Sequence, residues 1–212
     1  MKTTKQTKEL CVVSQKKLCK DVKEHLCASK HTIKFIKQHL IMLSKKLEDA
    51  INKQINAELW SAYLYLSMST HFANEGLPGF ANWFGIQFKE EQEHAMKFMN
   101  YMVAKGNKVV LQPIEKVDTS WDSVLSAFED TLAHEKVVTA LINDMVAIAR
   151  EEKDYATDNM LQWFVSEQVE EEESAQGIID ALRLIGNEGY AIYMMDKELG
   201  QRVHESISTS AT

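Results

Sequence analysis

The chain has 212 residues, a formal net charge of −7, 45% hydrophobic and 26% charged residues, and only 8 glycines and 2 prolines. That length suits one good-sized domain with a real core, and the scarcity of turn residues argues against an all-β fold and for helices. No run of about 18 apolar residues is present, which excludes a membrane span, and the acidic balance makes the chain a poor nucleic-acid binder but a concentrator of cations.

Residues 1–41 differ from the rest. They carry ten lysines against Glu9, Asp21 and Glu24, which leaves an excess of 14 acidic charges on residues 42–212. All three cysteines, Cys11, Cys19 and Cys27, also fall here, in an imperfect eight-residue echo: "KELCVVSQ", "KKLCKDVK", "EHLCASKH". Cysteines eight apart do not match zinc-ligand spacing, which wants closer pairs. The segment reads as a basic extension, disordered or loosely helical, or as upstream sequence read in frame ahead of a start at Met42. Its first residues lack the apolar h-region of a secretory signal. A cysteine-free body needs no disulfides, so cytoplasm is the default compartment.

From Leu43 onward the pattern is helical. The first segment spans about 44–73 and stops at "NEGLPG"; the second spans about 80–105 and stops at Gly106-Asn107. The third begins near "DTSWD", with Thr119 or Ser120 as cap, and runs to about 151. The fourth covers about 155–185, and "YAIYMMDKEL" predicts a short fifth helix over about 190–201. At about 1.5 Å per residue the long segments span roughly 40–46 Å each, and residues 204–212 read as a flexible tail. Short links make the first two helices, and the last two long ones, antiparallel neighbours. The link of about 14 residues before the third helix reaches the length of the bundle when extended. The second and third helices can then run parallel, which gives an all-α bundle running up-down-down-up with one long crossover.

Inward positions follow at 3–4 spacing. The stripes include Gln54, Glu58, Ser61 and Tyr65 on the first helix and Phe84, Gln87, Glu91, His94, Phe98 and Tyr101 on the second. The third gives Phe128, Leu132, Glu135, Thr139 and Ile142, and the fourth Phe164, Gln168, Glu171 and Ala175. Each stripe is apolar towards its ends and charged near its middle, so Glu58, Glu91 with His94, Glu135, and Gln168 with Glu171 meet in one layer. Taken singly, each has a blander reading: a partly exposed glutamate, a chance E-x-x-H, a solvated acidic face at Glu170–Glu173. Their agreement in height is what matters. Carboxylates in a core repel and cost several kcal/mol each in desolvation when unpaired, and these stripes offer no Lys or Arg at that level. An external cation is required, and an oxygen-rich set with a single imidazole suits a pair of iron ions.

At "INAELWSAYLYLSM", "KEEQEH", "LAHEK", "LQWFVSEQVEEEE" and the closing "DKEL", the chain resembles a bacterial non-haem ferritin across residues 42–203. The ferritin-like class carries a Glu on each of two helices and Glu-x-x-His on the other two. Here Ser174 stands where the second His would be, and Gln168 with Glu171 matches the non-haem arrangement instead. Gln92 occupies the position of the haem-binding relatives' axial methionine, so no haem is expected. The resemblance implies a first iron on Glu58, Glu91 and His94. It implies a second on Glu135 and Glu171, with Glu91 bridging and Gln168 nearby, and a third on Glu90, Glu167 and Glu170. Tyr65 matches the family's site-adjacent tyrosine, as an electron or hydrogen-bond donor or simply a core aromatic. Implied as well are ferroxidase activity with dioxygen or hydrogen peroxide as oxidant, storage of a hydrated ferric mineral, and a 24-subunit homo-oligomeric shell. Rival readings are a di-iron peroxide-scavenging protein and a catalytically silent helical scaffold. The first usually appends a Cys-x-x-Cys domain, and no Cys follows residue 27; the second leaves the intact ligand set without a purpose.

Overall fold

The computed structural model describes residues 42–186 and 188–206; the expectations for residues 1–41 and for 207–212 lie outside the described residues. Five helices follow in order: α1 (Lys45–Asn74), α2 (Pro78–Ala104), α3 (Val124–Glu151), α4 (Tyr155–Ile185) and α5 (Gly189–Leu199). Among the described residues there is no strand, and no helix is long and apolar enough to cross a membrane.

Local chemistry sets the ends. Ser44 caps α1 by accepting from Leu47 N, and Asp154 caps α4 by accepting from Thr157 N. Gly76 and Gly106 take the left-handed φ of 77° that closes α1 and α2, a conformation in which a Cβ is costly. The third helix departs from expectation, because its cap is Ser123 rather than Thr119 or Ser120. Ser123 and Ser126 bond each other's backbone N–H groups in a reciprocal capping box, so the helix begins three to four residues later.

Contacts along the helices fix their directions. Leu43 N donates to Asn107 Oδ1 (2.8 Å) and Ser69 Oγ to the Ala81 carbonyl (2.7 Å), so α1 and α2 are antiparallel. Lys46 pairs with Glu151 at 2.7 Å while Thr131 Oγ1 lies 3.7 Å from Met68 Sδ, so α1 and α3 are antiparallel too. Lys105 with Asp154 (3.2 Å) and Gln87 with Glu171 (2.7 Å) set α4 against α2. The order is up-down-down-up. The crossover lies along α1, bonded to Asn52 at Lys108 and Val110 and to Ser67 at Asp118, with Val117 buried beneath it.

The bundle interior is two apolar masses rather than one. Leu47, Ile51, Phe98, Ile142 and Phe164 belong to the first, where the Phe98 and Phe164 rings stack with centroids 3.9 Å apart. Met68, Phe72, Phe80, Phe84 and Phe128 belong to the second. Between them in sequence on every long helix sit the buried polar residues.

The short helix α5 is fixed by a single carboxylate. Leu77, at the start of α2, offers no capping side chain; instead buried Asp196 of α5 accepts from Gly79 N (2.7 Å) and Phe80 N (3.0 Å) through Oδ1. A negative charge at a helix N-terminus is favourable. The approach is so close that a Cβ on Gly79 would lie 1.6 Å from the Asp196 carbonyl oxygen. Asp196→Ala is expected to cost about 1–2 kcal/mol as a lost cap. Gly79→Ala should lower the thermal unfolding midpoint further, because it forces α5 away. Equal, unchanged midpoints in both variants would contradict this docking role.

Candidate metal centre

Four helices deliver the polar layer. Glu58 comes from α1, Glu91 and His94 from α2, Glu135 from α3, and Gln168 and Glu171 from α4; all six are buried. The i, i+3 spacing of Glu91 and His94 puts them on one face, with His94 Nδ1 3.5 Å from Glu91 Oε2. Glu58, Glu91 and His94 each offer a ligand atom within 4.8 Å of the others. His94, Glu167 and Glu171 form a second such group.

Hydrogen bonds decide which oxygens are free. Gln54 Nε2 donates to Glu58 Oε1 (2.9 Å) and Gln87 Nε2 to Glu171 Oε2 (2.7 Å). Glu135 is held on both sides: the Tyr65 hydroxyl donates to Oε1, and Gln168 Nε2 donates to Oε2 (3.1 Å) and to the Glu135 carbonyl (3.2 Å). Glu135 stands outside both ligand groups. Glu58 Oε2 and Glu91 Oε2 are buried without a hydrogen-bond partner. Orphaned buried acceptors are costly, and among the described residues no lysine or arginine pairs with Glu58, Glu91, Glu135 or Glu171.

Burial therefore pushes protons onto Glu58, Glu91 and Glu171. Desolvation, followed by the charge of Glu91, raises Glu58 well above the usual carboxylate range. Desolvation, then Glu135 and Glu171, does the same to Glu91. Glu171 is pushed up to about 8 by burial and the Glu135 charge. Tyr65 is raised by burial and by Glu135, so it remains a phenol and a donor. A divalent cation entering the layer would displace carboxyl protons and satisfy the orphan oxygens together. Oxygen donors with one imidazole fit iron.

The outer residues are less convergent. Glu167 is half-buried, and burial raises it. Glu170 is exposed, and neither it nor Glu90 belongs to a close ligand group. Glu90 bonds Arg202 Nη2 instead (2.7 Å). Trp163 stands edge-on to His94, centroids 5.5 Å apart, with Lys97 Nζ 3.6 Å above its ring. Tyr101, expected inward, is half-buried at the rim and bonds Thr157 (2.8 Å).

Sequence reasoning missed several contributors. Spacing alone puts Gln54 and Gln87 inward and gives them no role, although Gln54 lies one turn from Glu58, a spacing that permits the bond it makes. His134 was unassigned; its Nε2 lies 2.7 Å from Ser61 Oγ and its ring packs on Trp60 and Tyr65. Arg202 and His204 lie beyond the last helix, and no periodicity points to them.

A layer of acids and one imidazole crossing a four-helix bundle defines the ferritin-like class of metal-binding bundles. The ferritin-like domain family model matches residues 48–185, and the chain belongs to that family. A bacterial non-heme ferritin of Bacteroides fragilis is 46% identical over 161 residues, covering 76% of this chain and all of that protein. One from Staphylococcus aureus is 39% identical over 164 residues, covering 77% and 99%. Among solved structures, the open-pore ferritin of Archaeoglobus fulgidus is similar with a TM-score of 0.75 and 49% identity, covering 76% of this chain and 99% of that one. An engineered closed form of the same ferritin has a TM-score of 0.76 at 48% identity.

The raised carboxyls predict a pH signature in metal-free protein. Glu171 holds its proton when folded up to about 8 but loses it near 4.5 when unfolded. The folded state therefore binds more protons in that window, and stability falls as pH rises through it. Glu171→Gln removes this titration, so the metal-free variant should gain on the wild type steadily from pH 5 to 8 in thermal melts. A difference that stays constant with pH would contradict the raised Glu171.

Proposed function

We propose that the protein is an iron-storage ferritin subunit that oxidises Fe(II) to Fe(III) at the buried layer and passes it to a hydrated ferric mineral. The observation that carries this reading is the pair of buried oxygens without a hydrogen-bond partner, Glu58 Oε2 and Glu91 Oε2, beside His94. Glu58, Glu91 and His94 take one ferrous ion; Glu91, Glu135 and Glu171 take the other, with Gln168 orienting Glu135. Carboxylates stabilise Fe(III) over Fe(II) and so favour the oxidation. Two ferrous ions give up two electrons together, and dioxygen with two electrons and two protons becomes hydrogen peroxide. With peroxide as oxidant, the same electrons and protons yield two waters. Either course avoids one-electron oxygen radicals.

Each residue's task follows from its contacts. Gln54 and Gln87 steady one oxygen of Glu58 and Glu171, leaving the others to bind metal. Tyr65, a neutral donor to Glu135, holds that carboxylate and stands where it can supply an electron. Glu90, Glu167 and Glu170 form an outer third iron position on the path away from the centre. Only one nitrogen ligand holds the metal, which suits a site that must release its product.

A storage role needs enclosure, and we assign the chain to a 24-subunit shell in the cytoplasm. Exposed Tyr63, Val137 and Leu141 on α1 and α3 supply apolar surface suited to packing against a second copy. So does an apolar cavity of about 720 Å³ between α4 and α5, bordered by Ile178, Tyr190 and Met194.

Loss of a ligand should show in rate before it shows in assembly. Glu91→Ala and His94→Ala are each expected to slow aerobic ferrous oxidation, followed by stopped-flow absorbance, by at least the roughly 10- to 100-fold that losing an outer-shell partner costs, while the oligomer still forms. Wild-type protein loaded aerobically should retain far more iron per subunit than its ligand positions can hold. Unchanged rates in both variants, or uptake that stops at the ligand positions, would overturn the assignment.

A further inference from the structure

The chain does not leave the bundle after α5. Asn82 Nδ2 donates to the carbonyls of Leu199 (3.2 Å) and Arg202 (3.0 Å), which turns residues 202–206 back onto α2. Arg202 is then held at three points. Its guanidinium lies 5.0 Å from the Trp83 ring centroid, Nη1 donates to the Trp83 carbonyl (3.4 Å), and Nη2 donates to Glu90 Oε2 (2.7 Å). Beside it, His204 Nε2 lies 3.1 Å from Glu93 Oε1, and Nδ1 lies 3.9 Å from Glu90 Oε1. The Arg202 and Glu90 side chains are 27% and 19% exposed, so the pair is largely shielded from solvent.

The contact has a consequence for metal. Arg202, Val203, Glu205 and Ser206 of this segment line a cavity of about 590 Å³ together with Glu90, Glu167, Glu170 and Glu171, so the segment brings one carboxylate as well as the guanidinium to it. A cation in that cavity must share Glu90 with a guanidinium already bonded to it. Arginine keeps its charge at any physiological pH, so the competition is permanent, and the competitor is tethered. The stacking on Trp83 and the bond to its carbonyl return the guanidinium to the same place whenever it leaves.

We infer that residues 202–206 are a latch over the outer metal position, in which Arg202 is a tethered competitor that an incoming di- or trivalent cation must displace from Glu90. This rests on the assignment of Glu90, Glu167 and Glu170 to an outer iron position, and deepens it. A site whose open form is populated about a tenth of the time binds about tenfold more weakly than its ligands alone would allow. The latch thus makes the outer position the weakest of the three and keeps iron moving through it. The inner layer, which Arg202 does not touch, is unaffected.

The test is a titration of the assembled, metal-free, full-length protein with Co²⁺, by calorimetry and by cobalt visible absorption. Wild-type protein should show a tight class that Glu58→Gln weakens and a weaker class that Glu90→Gln abolishes. Arg202→Gln should tighten the weaker class about tenfold and leave the tight class as it was. In the Glu90→Gln background, Arg202→Gln should change nothing. Arg202→Lys keeps a cation but loses the guanidinium that stacks on Trp83 and bonds its carbonyl, so it should tighten the weaker class by less than Arg202→Gln does; the Asn82 bonds to backbone carbonyls hold the segment in either variant. A weaker class unchanged or weakened by Arg202→Gln, or tightened equally by Arg202→Lys, would overturn the latch. If the tight class itself is missing or indifferent to Glu58, the site assignment fails, and the latch with it. A normal tight class with a silent Arg202→Gln removes the latch alone.

Discussion

Acids at the centre of a helical bundle are the constraint on which this structure turns. Glu58, Glu91, Glu135 and Glu171 are buried together with no lysine or arginine paired to them among the described residues. Each ionised carboxylate there carries a desolvation cost and repels the others. Protons meet part of that cost in the metal-free state, since Glu171 is pushed up to about 8. They leave Glu58 Oε2 and Glu91 Oε2 without a hydrogen-bond partner. An interior that needs a cation to be fully satisfied is an interior built around one.

The rest of the fold serves that layer. Apolar masses on either side, one around Phe98 and Phe164 and one around Phe72, Phe84 and Phe128, supply the burial that makes a polar centre tolerable. Hydrophobic stabilisation scales with apolar area, and helices of 27 to 31 residues provide it at both ends. The long crossover matters for the same reason. It lets α2 and α3 run parallel, and because the ligand candidates sit near the middle of each long helix they meet at one height whichever way the helix runs. Amides then set the state of each carboxylate: Gln54, Gln87 and Gln168 hold Glu58, Glu171 and Glu135 by one oxygen each.

The stripes were legible because helical period and burial are tied. Gln54, Glu58, Ser61 and Tyr65, the positions assigned inward on the first helix, are all buried. Legibility failed where the information is not periodic. Ser120 and Ser123 are equally good caps by residue type, and only the bond to Ser126 chooses between them. On α3, Thr131, Val138 and Met145 are buried while Leu132 and Thr139 are only partly so, because that helix turns by part of a residue from the strict spacing. Glu90 could be placed near the centre from its neighbour Glu91, but its engagement by Arg202, more than a hundred residues away, is a tertiary fact. Nor does spacing reveal that Glu135 is held from both sides by Tyr65 and Gln168.

The claim that the layer exists to hold metal is tested most directly by iron-edge anomalous diffraction from crystals loaded with Fe(II) without oxygen. The account predicts strong anomalous peaks between Glu58, Glu91 and His94 and beside Glu171, with the two apolar masses unchanged. Iron found only on the exposed acidic surface, with the buried carboxyls still in their metal-free arrangement, would contradict it.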